Sequence, residues 1–531
     1  VTINLAPADV KKDSAGCDRK ERKETTTMKA VTRMTVCPWI AGLVMFLPAG
    51  HVGGGEHYVA ADGKADGKGT KASPLELATA IGPGSPAKPG DTIWLRGGTY
   101  RGGLSSKVRG REGAPVTIRA VPGERATIDC RGRQGQYTAT MLFVEGDWTV
   151  LWGLEVTCSD PHRVTKTTGS SPPDIDRGGL FSRSSHVRFI NLVVHDCSNG
   201  FGFWSGGEGG EIYGCLIYNN GWVGPDRGHG HAIYAQNKTG TKRLVDNVMF
   251  NQFSYGVHCY GSGRAFLSGF HLEGNVSFNN GSAADPGSRT PAILVGGGCA
   301  AERIAVVDNC TYGDARGGGA VQLGYGSRPN KDVLVRGNYF VGPVNLLLWE
   351  QVAFQGNTVV QPGGLVQVTL PKAGGAATYQ VDRNTYFHAG KGRSPFGLSG
   401  DGGGRGLAFA EWQKRGLDAD GRYVQGRPEG VKVFVRPNRY EPGRAHVIVY
   451  NWDRKPAVKA DLSGVLKAGQ KFRIVSAQDF FGEPVAEGTY DGRAVRIPMR
   501  EYRAAPPVGM PDHKPPVTGP EFNVFVALAV P

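Results

Sequence analysis

Between residues 220 and 231 the chain reads NGWVGPDRGHGH, a segment dense in side chains able to do chemistry. His229 and His231 flank Gly230 and titrate near working pH, so either suits proton transfer. The pair also resembles part of a metal site, but no third ligand follows at a suitable spacing. Asp226 and Arg227 stand beside them, and Trp222 offers an aromatic face. A second inserted loop, SDPHRVTKTTGSSPPDIDRGG at 159–179, brings Asp174, Asp176 and Arg177. Long loops beside a rigid framework commonly carry function.

Alternating segments follow: GGLFSR, FGFWSG, HAIYAQN and YGVHCYG. Alternation sends one set of side chains inward and the other outward. Aligned on that basis, one outward column reads Phe181, Trp204, Tyr234 and His258. The next reads Arg183, Gly206, Gln236 and Tyr260, continuing to Trp349. Aromatic faces stack on sugar rings, and polar neighbours orient them. Trp204, Tyr260, His258 and Gln236 are therefore expected to bind substrate, with Trp222, Arg227 and Lys238 from the loops. His229, His231, Arg183 and Tyr234 are the expected catalytic groups. Lys238 and Lys242, in QNKTGTKR, also read as solvated turn charges.

These residues need a framework, and the sequence supplies a repeat. Short alternating apolar stretches are punctuated at Gly153, Asn191, Cys215, Asn247, Asn275, Asn309, Asn338, Asn357 and Asn384. Intervals of roughly 19 to 38 residues without a helical pattern mean a solenoid whose coils are strands. Asn and Gly tolerate a left-handed backbone, so each marker is expected at a sharp bend. Stacked Asn side chains can also hydrogen-bond from coil to coil. The fold class is all-β, a parallel β-helix.

The chain has 531 residues, 81 of them Gly and 33 Pro, with 40% hydrophobic content. That supports two folded units and argues against bulk disorder. After Phe387 the text changes, giving a linker and short helix at 391–430. From 431 to 531 short strands alternate with Pro, Gly and Asp turns, which suggests a C-terminal β-sandwich accessory domain without chemistry. The formal charge of +14 is dispersed and no nucleic-acid module is recognisable, so an acidic polysaccharide is the expected partner and nucleic acid is not. Residues 1–27 read as an upstream extension. Met28, Lys29, Arg33 and the apolar run after them read as a signal-peptide region, 28–55. The run is short for a stable membrane span. A secreted or periplasmic monomer is expected.

The stretch YVAADGKADGKGTKASPLELATAI, with PGDTIWLRGGTYRG and APVTIRA, resembles the opening of exported right-handed parallel β-helix proteins of the pectate-lyase-like superfamily. The residues suggest a short helix at 74–81, N-capped by Ser73, that closes the core, and the resemblance implies a right-handed β-helix over 56–390. It also implies polysaccharide chemistry, with β-elimination from a uronate foremost. That reaction needs a base, a group neutralising the carboxylate, and an acid at the leaving oxygen. His229 or His231 would be the base, Arg183, Arg227 and Gln236 the carboxylate partners, and Tyr234 the acid. Several lyases of the superfamily recruit calcium, for which Asp174, Asp176 and Asp226 would be the ligands here. A glycoside hydrolase would need two carboxylates across the bond, and no Asp pair occupies neighbouring outward positions. A non-catalytic glycan-binding or surface scaffold is the third reading.

Overall fold

The structure, a computed structural model of the chain, describes residues 2–3, 54–131, 141–175, 178–284, 290–313, 319–326, 328–371, 377–400 and 405–530. The apolar run after Met28 lies outside the described residues, as do Asp176 and Arg177. Among the described residues no helix is long and apolar enough to cross a membrane.

The repeats stack as the alternation demands. Each coil contributes one strand to each of three sheets, of thirteen, twelve and twelve strands. One coil runs Thr149–Trp152 in the first sheet, Glu155–Thr157 in the second and Gly179–Ser182 in the third. The next places Arg188–Ile190, Val193–His195 and Phe201–Phe203 in parallel register beside them. Inward residues such as Leu151, Val156 and Leu180 join one continuous core that runs from Val59 to Leu417. Burying each such side chain contributes about 1.5–3 kcal/mol, so the stack is held mainly by its apolar interior.

The bends follow a different register from the one expected. The left-handed residue is the one before the marker at Gly214, Asp246, Gly274, Asp308, Gly337, Gly356 and Arg383, and the marker itself only at Gly153 and Asn191. The Asn residues from 247 onward instead point inward and form a ladder. Asn247 Nδ2 donates to Asn275 Oδ1 at 3.0 Å and to the Ile212 carbonyl at 2.9 Å, and the pattern repeats through Asn384. The ladder ends on buried Asp418, whose Oδ1 accepts from Asn384 at 2.7 Å, and whose Oδ2 accepts from Tyr386 at 2.6 Å and Trp412 at 3.0 Å. A second, shorter ladder of Asn220, Gln252 and Asn280 lines the opposite bend.

Both ends of the core are covered. The N-terminal helix is shorter than expected, Leu77–Ile81, and its N-cap is Glu76 rather than Ser73. It buries Leu77, Ala80 and Ile81 over the first coil. The segment expected to be a linker continues the solenoid: Phe396–Ser399 and Arg422–Gln425 pair with the third and second sheets. The helix Phe409–Lys414 seats Trp412 against Phe396 and closes the far end.

After residue 430 the strands turn antiparallel, as a five-stranded sheet and a two-stranded sheet sharing a core around Val447, Val458 and Ile497. The other face of the five-stranded sheet lies on the second sheet of the solenoid. Phe522 stacks on Tyr312 at 4.5 Å, and Tyr450 packs against Tyr339 at 4.4 Å. Arg436 pairs with Asp246, and Arg439 with Glu211. This docking covers the second sheet and leaves the third sheet open.

Candidate functional site

On the third sheet the outward side chains sort by strand register. Phe181 aligns with Gly202, Tyr234, His258, Leu294 and Gln322. Trp204 and Trp349 therefore do not hold the positions assigned from sequence. Phe201, not Phe203, pairs with Leu180, which moves Trp204 two residues along, level with Gln236. Gly202 is required where it stands, because a Cβ there would lie 2.1 Å from the Phe181 ring. Trp349 is fully buried in the first sheet and donates to the Leu323 carbonyl at 2.9 Å.

The rings nevertheless form a strip that follows the solenoid axis from Phe143 to His258, then turns along one strand to Tyr260 and passes the ring-free Ile293–Val295 strand to Tyr325. Centroid separations run 5.9 Å from Phe143 to Phe181, 6.1 Å to Trp204, 5.1 Å to Tyr234 and 5.0 Å to His258. From there the strip continues 4.8 Å to Tyr260 and 5.5 Å to Tyr325. The strip crosses seven neighbouring strands, Met141–Val144 to Val321–Leu323. At about 4.8 Å per strand it is roughly 29 Å long. Trp204, Tyr234 and Tyr260 are half-buried, so ring surface remains open to solvent.

At the middle of the strip sits a cluster that the sequence did not fully reveal. His231 lies 4.2 Å from His258, and Tyr255 stacks on His258 at 4.5 Å. Tyr255 was missed because it precedes its strand by two residues and falls in neither outward column. Burial is the largest cause holding the His258 imidazole down to about 3, with the Arg227 charge adding to it. Burial likewise holds His231 well below the usual imidazole range, helped by the charges of His258, Arg227 and His229. Both rings are neutral at working pH. The Tyr255 amide donates to His231 Nδ1 at 3.3 Å, which puts the ring proton on Nε2. His258 Nδ1 is buried without a partner. Burial raises the phenols of Tyr234 and Tyr255, keeping them protonated donors.

The loop residues divide. His229 and Trp222 lie on a two-stranded hairpin, Trp222–Val223 with Gly228–His229, their rings stacked at 5.1 Å. Only 3% of His229 and 4% of Trp222 is exposed, so neither presents a face to ligand. His229 Nε2 is engaged by Asp226 at 3.0 Å. Buried Arg163 pins the hairpin, donating to the carbonyls of Gly221 at 3.2 Å and Cys197 at 3.4 Å. Arg227 projects from the hairpin, 60% exposed, and donates to Ser170 at 3.1 Å. Arg183 is exposed on the flank of the strip, and Gln236 donates to the Tyr260 carbonyl at 3.3 Å. Lys238 is exposed, with its ammonium 5.0 Å from the exposed Phe266 ring.

Lys242 is not a turn charge. It is fully buried, pointing into the coil, where Nζ donates to the carbonyls of Trp204 at 2.7 Å and Gln236 at 2.8 Å. The ammonium also lies 3.9 Å over the Phe203 ring. Burial pulls its pKa down to about 7. A polar residue at an inward strand position carries no sequence signal of this kind, because the strand register is set by the stack.

Two of the three carboxylates expected to bind calcium meet protein partners. Asp174 accepts from Thr165 at 2.8 Å and meets His162 at 3.4 Å, while Asp226 faces His229. No group of three His, Cys, Asp or Glu side chains suited to a metal occurs among the described residues. Asp176, the third expected ligand, lies outside the described residues.

Residues 57–290 match the family model described as Pel9A-like, right handed beta helix region. No curated relative matches the sequence. Among solved structures, the pectate lyase Pel9A is similar at 17% identity, covering 60% of this chain and 78% of its own, with a TM-score of 0.37. A GH136 lacto-N-biosidase from Eubacterium ramulus is similar at 14% identity, covering 70% and 67%, with a TM-score of 0.40. An alginate lyase from Paenibacillus sp. str. FPU-7 is similar at 19% identity, covering 66% and 95%, with a TM-score of 0.33.

Proposed function

We propose that this chain, a pectate-lyase-like right-handed β-helix protein over residues 57–290, binds an acidic polysaccharide lengthwise on its third sheet and cleaves it by β-elimination. The observation that carries the reading is the aromatic strip from Phe143 to Tyr325 with exposed cations on its flanks. Phe143, Trp204, Tyr234, Tyr260 and Tyr325 keep ring surface open over roughly 29 Å, whereas Phe181 and His258 are buried beneath them, and open rings spread over that length match an extended polymer rather than a single small sugar. Arg183 and Arg227 pair with uronate carboxylates, which draws charge from the α-carbon and acidifies the C5 proton.

In the elimination the C5–H bond breaks, its electron pair forms the C4–C5 double bond, and the C4–O bond breaks. Tyr234 or Tyr255, kept protonated by burial, delivers a proton to the departing oxygen. His231 carries its proton on Nε2 and serves as a donor, so His258 is the imidazole that takes the C5 proton. A carboxylate seated on Arg227 offsets one of the two causes that depress His258, and so raises its basicity on binding. Elimination is preferred to hydrolysis because no Asp pair occupies neighbouring outward strand positions. We further propose that the protein acts outside the cytoplasm, on the motivation of the apolar run after Lys29 and Arg33.

Glycan binding without turnover is the second reading, favoured by the low basicity of both neutral imidazoles in the free protein. The test is to incubate the purified chain with pectate, alginate, glycosaminoglycans and neutral glycans while following absorbance near 235 nm. Unsaturated products from a uronate polymer, lost in His258→Ala, support elimination. Binding without such products supports the second reading. No binding to any acidic glycan overturns both.

A further inference from the structure

The C-terminal unit carries a cleft of ≈ 600 Å³ between its two sheets, lined by Lys459, Arg493, Arg496, Asp491, Phe472 and Tyr490 among others. Lys459 and Arg496 are directly opposed across the pair Ala457–Ala460 and Val495–Pro498. Like charges in that position destabilise a strand pair. The neighbouring sheet follows the opposite rule, setting Arg473 across from Glu487. Neither Lys459 nor Arg496 has an ion-pair partner among the described residues, whereas Arg493 is neutralised by Asp491 at 2.8 Å. Tyr490 is 2% exposed, and its buried hydroxyl has no hydrogen-bond partner. An unsatisfied buried hydroxyl costs about 1–3 kcal/mol. Two exposed cations without an ion-pair partner among the described residues and a buried hydroxyl without an acceptor thus share one cleft with aromatic walls, the Phe472 and Tyr490 rings meeting edge-on at 6.5 Å.

We propose that this cleft is a second anion-binding site, which holds the carboxylate or sulfate of a charged sugar between Lys459 and Arg496. An anion there removes the repulsion and offers charge-assisted hydrogen bonds to both cations, and to the Tyr490 hydroxyl. The choice of a sugar over another anion rests on the acidic-glycan reading of the third sheet; the anion site itself does not. The cleft lies on the antiparallel unit and uses no residue of the aromatic strip. It serves as an anchor that raises the local concentration of a long polymer at the strip.

The experiment is calorimetric titration of the full chain with oligogalacturonate, a sulfated glycosaminoglycan oligosaccharide, a neutral xylo-oligosaccharide and inorganic phosphate. Trp204→Ala weakens the strip without abolishing it, so the cleft is read as the further loss when Lys459→Ala/Arg496→Ala is added to this background. Charged-oligosaccharide binding is expected to persist there. It should then fall at least tenfold in the further variant Lys459→Ala/Arg496→Ala, and severalfold in Tyr490→Phe, whose melting temperature should be no lower than the parent's because an unsatisfied hydroxyl is removed. The galacturonate and sulfated probes distinguish the two anionic groups. Inorganic phosphate binding as tightly as either oligosaccharide overturns the sugar assignment. The second site is overturned if the Trp204→Ala background binds no charged probe, or if Lys459→Ala/Arg496→Ala leaves its binding unchanged. Binding that Trp204→Ala leaves unchanged and Lys459→Ala/Arg496→Ala abolishes sinks the proposed function and leaves this site standing.

Discussion

The ammonium of Lys242 donates to the main-chain carbonyl of Trp204 at 2.7 Å from inside the coil, on the side of the sheet opposite the Trp204 ring. A second bond to the Gln236 carbonyl, at 2.8 Å, ties two adjacent coils to the same cation. The strip outside is thus positioned from within. Lys242→Met keeps the volume but leaves those carbonyls without their donor. Binding to acidic glycans should weaken several-fold while the fold survives, because deleting a buried charge also removes its desolvation cost. Unchanged glycan affinity in a folded Lys242→Met protein would show that the cation is purely structural.

Lys242 and His195 should give the protein opposed alkaline responses. His195 sits between Glu155 at 2.9 Å and Asp196 at 2.8 Å, and these carboxylates raise it to about 9 against the opposing effect of burial. Its folded pKa exceeds the unfolded value, so its stabilisation is complete below about 6.5 and is lost as pH rises through 9. The amount is on the order of 3 kcal/mol. Lys242 is depressed to about 7, so the unfolded chain binds more protons between pH 7 and the usual lysine range, and stability rises across that window. Denaturant midpoints from pH 6 to 10 should therefore fall less steeply in His195→Gln and more steeply in Lys242→Met than in the parent. Parallel profiles for all three proteins would contradict both assignments.

Trp204→Ala should weaken acidic and neutral oligosaccharides alike by about 1–2 kcal/mol, since a ring face stacks on any sugar. Arg227→Ala should instead discriminate, reducing uronate affinity more than neutral affinity and raising the His258 pKa by removing a nearby positive charge. Titration of the His258 ring by NMR, beside binding curves for one charged and one neutral oligosaccharide, checks both. Equal losses on both sugars in Arg227→Ala would remove it from carboxylate recognition.

Asn247→Leu should cost about 3 kcal/mol, because the Cys215 amide and the Ile212 carbonyl lose their partner in a buried site. Asn219→Ala should also be costly, for another reason. Asn219 is left-handed at φ 54°, 1% exposed, and donates to the Ala505 carbonyl at 3.0 Å. Alanine there strains the bend and loosens a tie to the C-terminal unit. Urea midpoints equal to the parent for either variant would overturn the corresponding role.

Much of this protein was legible in its residues. The alternation fixes which side chains of each strand face the core, because a pleated strand has no other way to bury an apolar set. The recurring Asn predicts the coil and its hydrogen-bonded ladder, since an inward amide must find partners from neighbouring coils. Tyr234, His258 and Tyr260 fall on the outward face as expected for the same reason. What alternation cannot supply is a two-residue slip between coils, which preserves inside and outside but moves Trp204 relative to Phe181. Only the backbone pairing of Leu180 with Phe201 decides that. Loops lack even the parity rule, so the burial of His229 under Trp222 and the placing of Tyr255 beside His258 are products of packing alone. Lys242 shows the limit most plainly. Its charge suggests solvent, and it is the closed coil, offering carbonyl oxygens from two turns of chain, that makes an interior position tolerable.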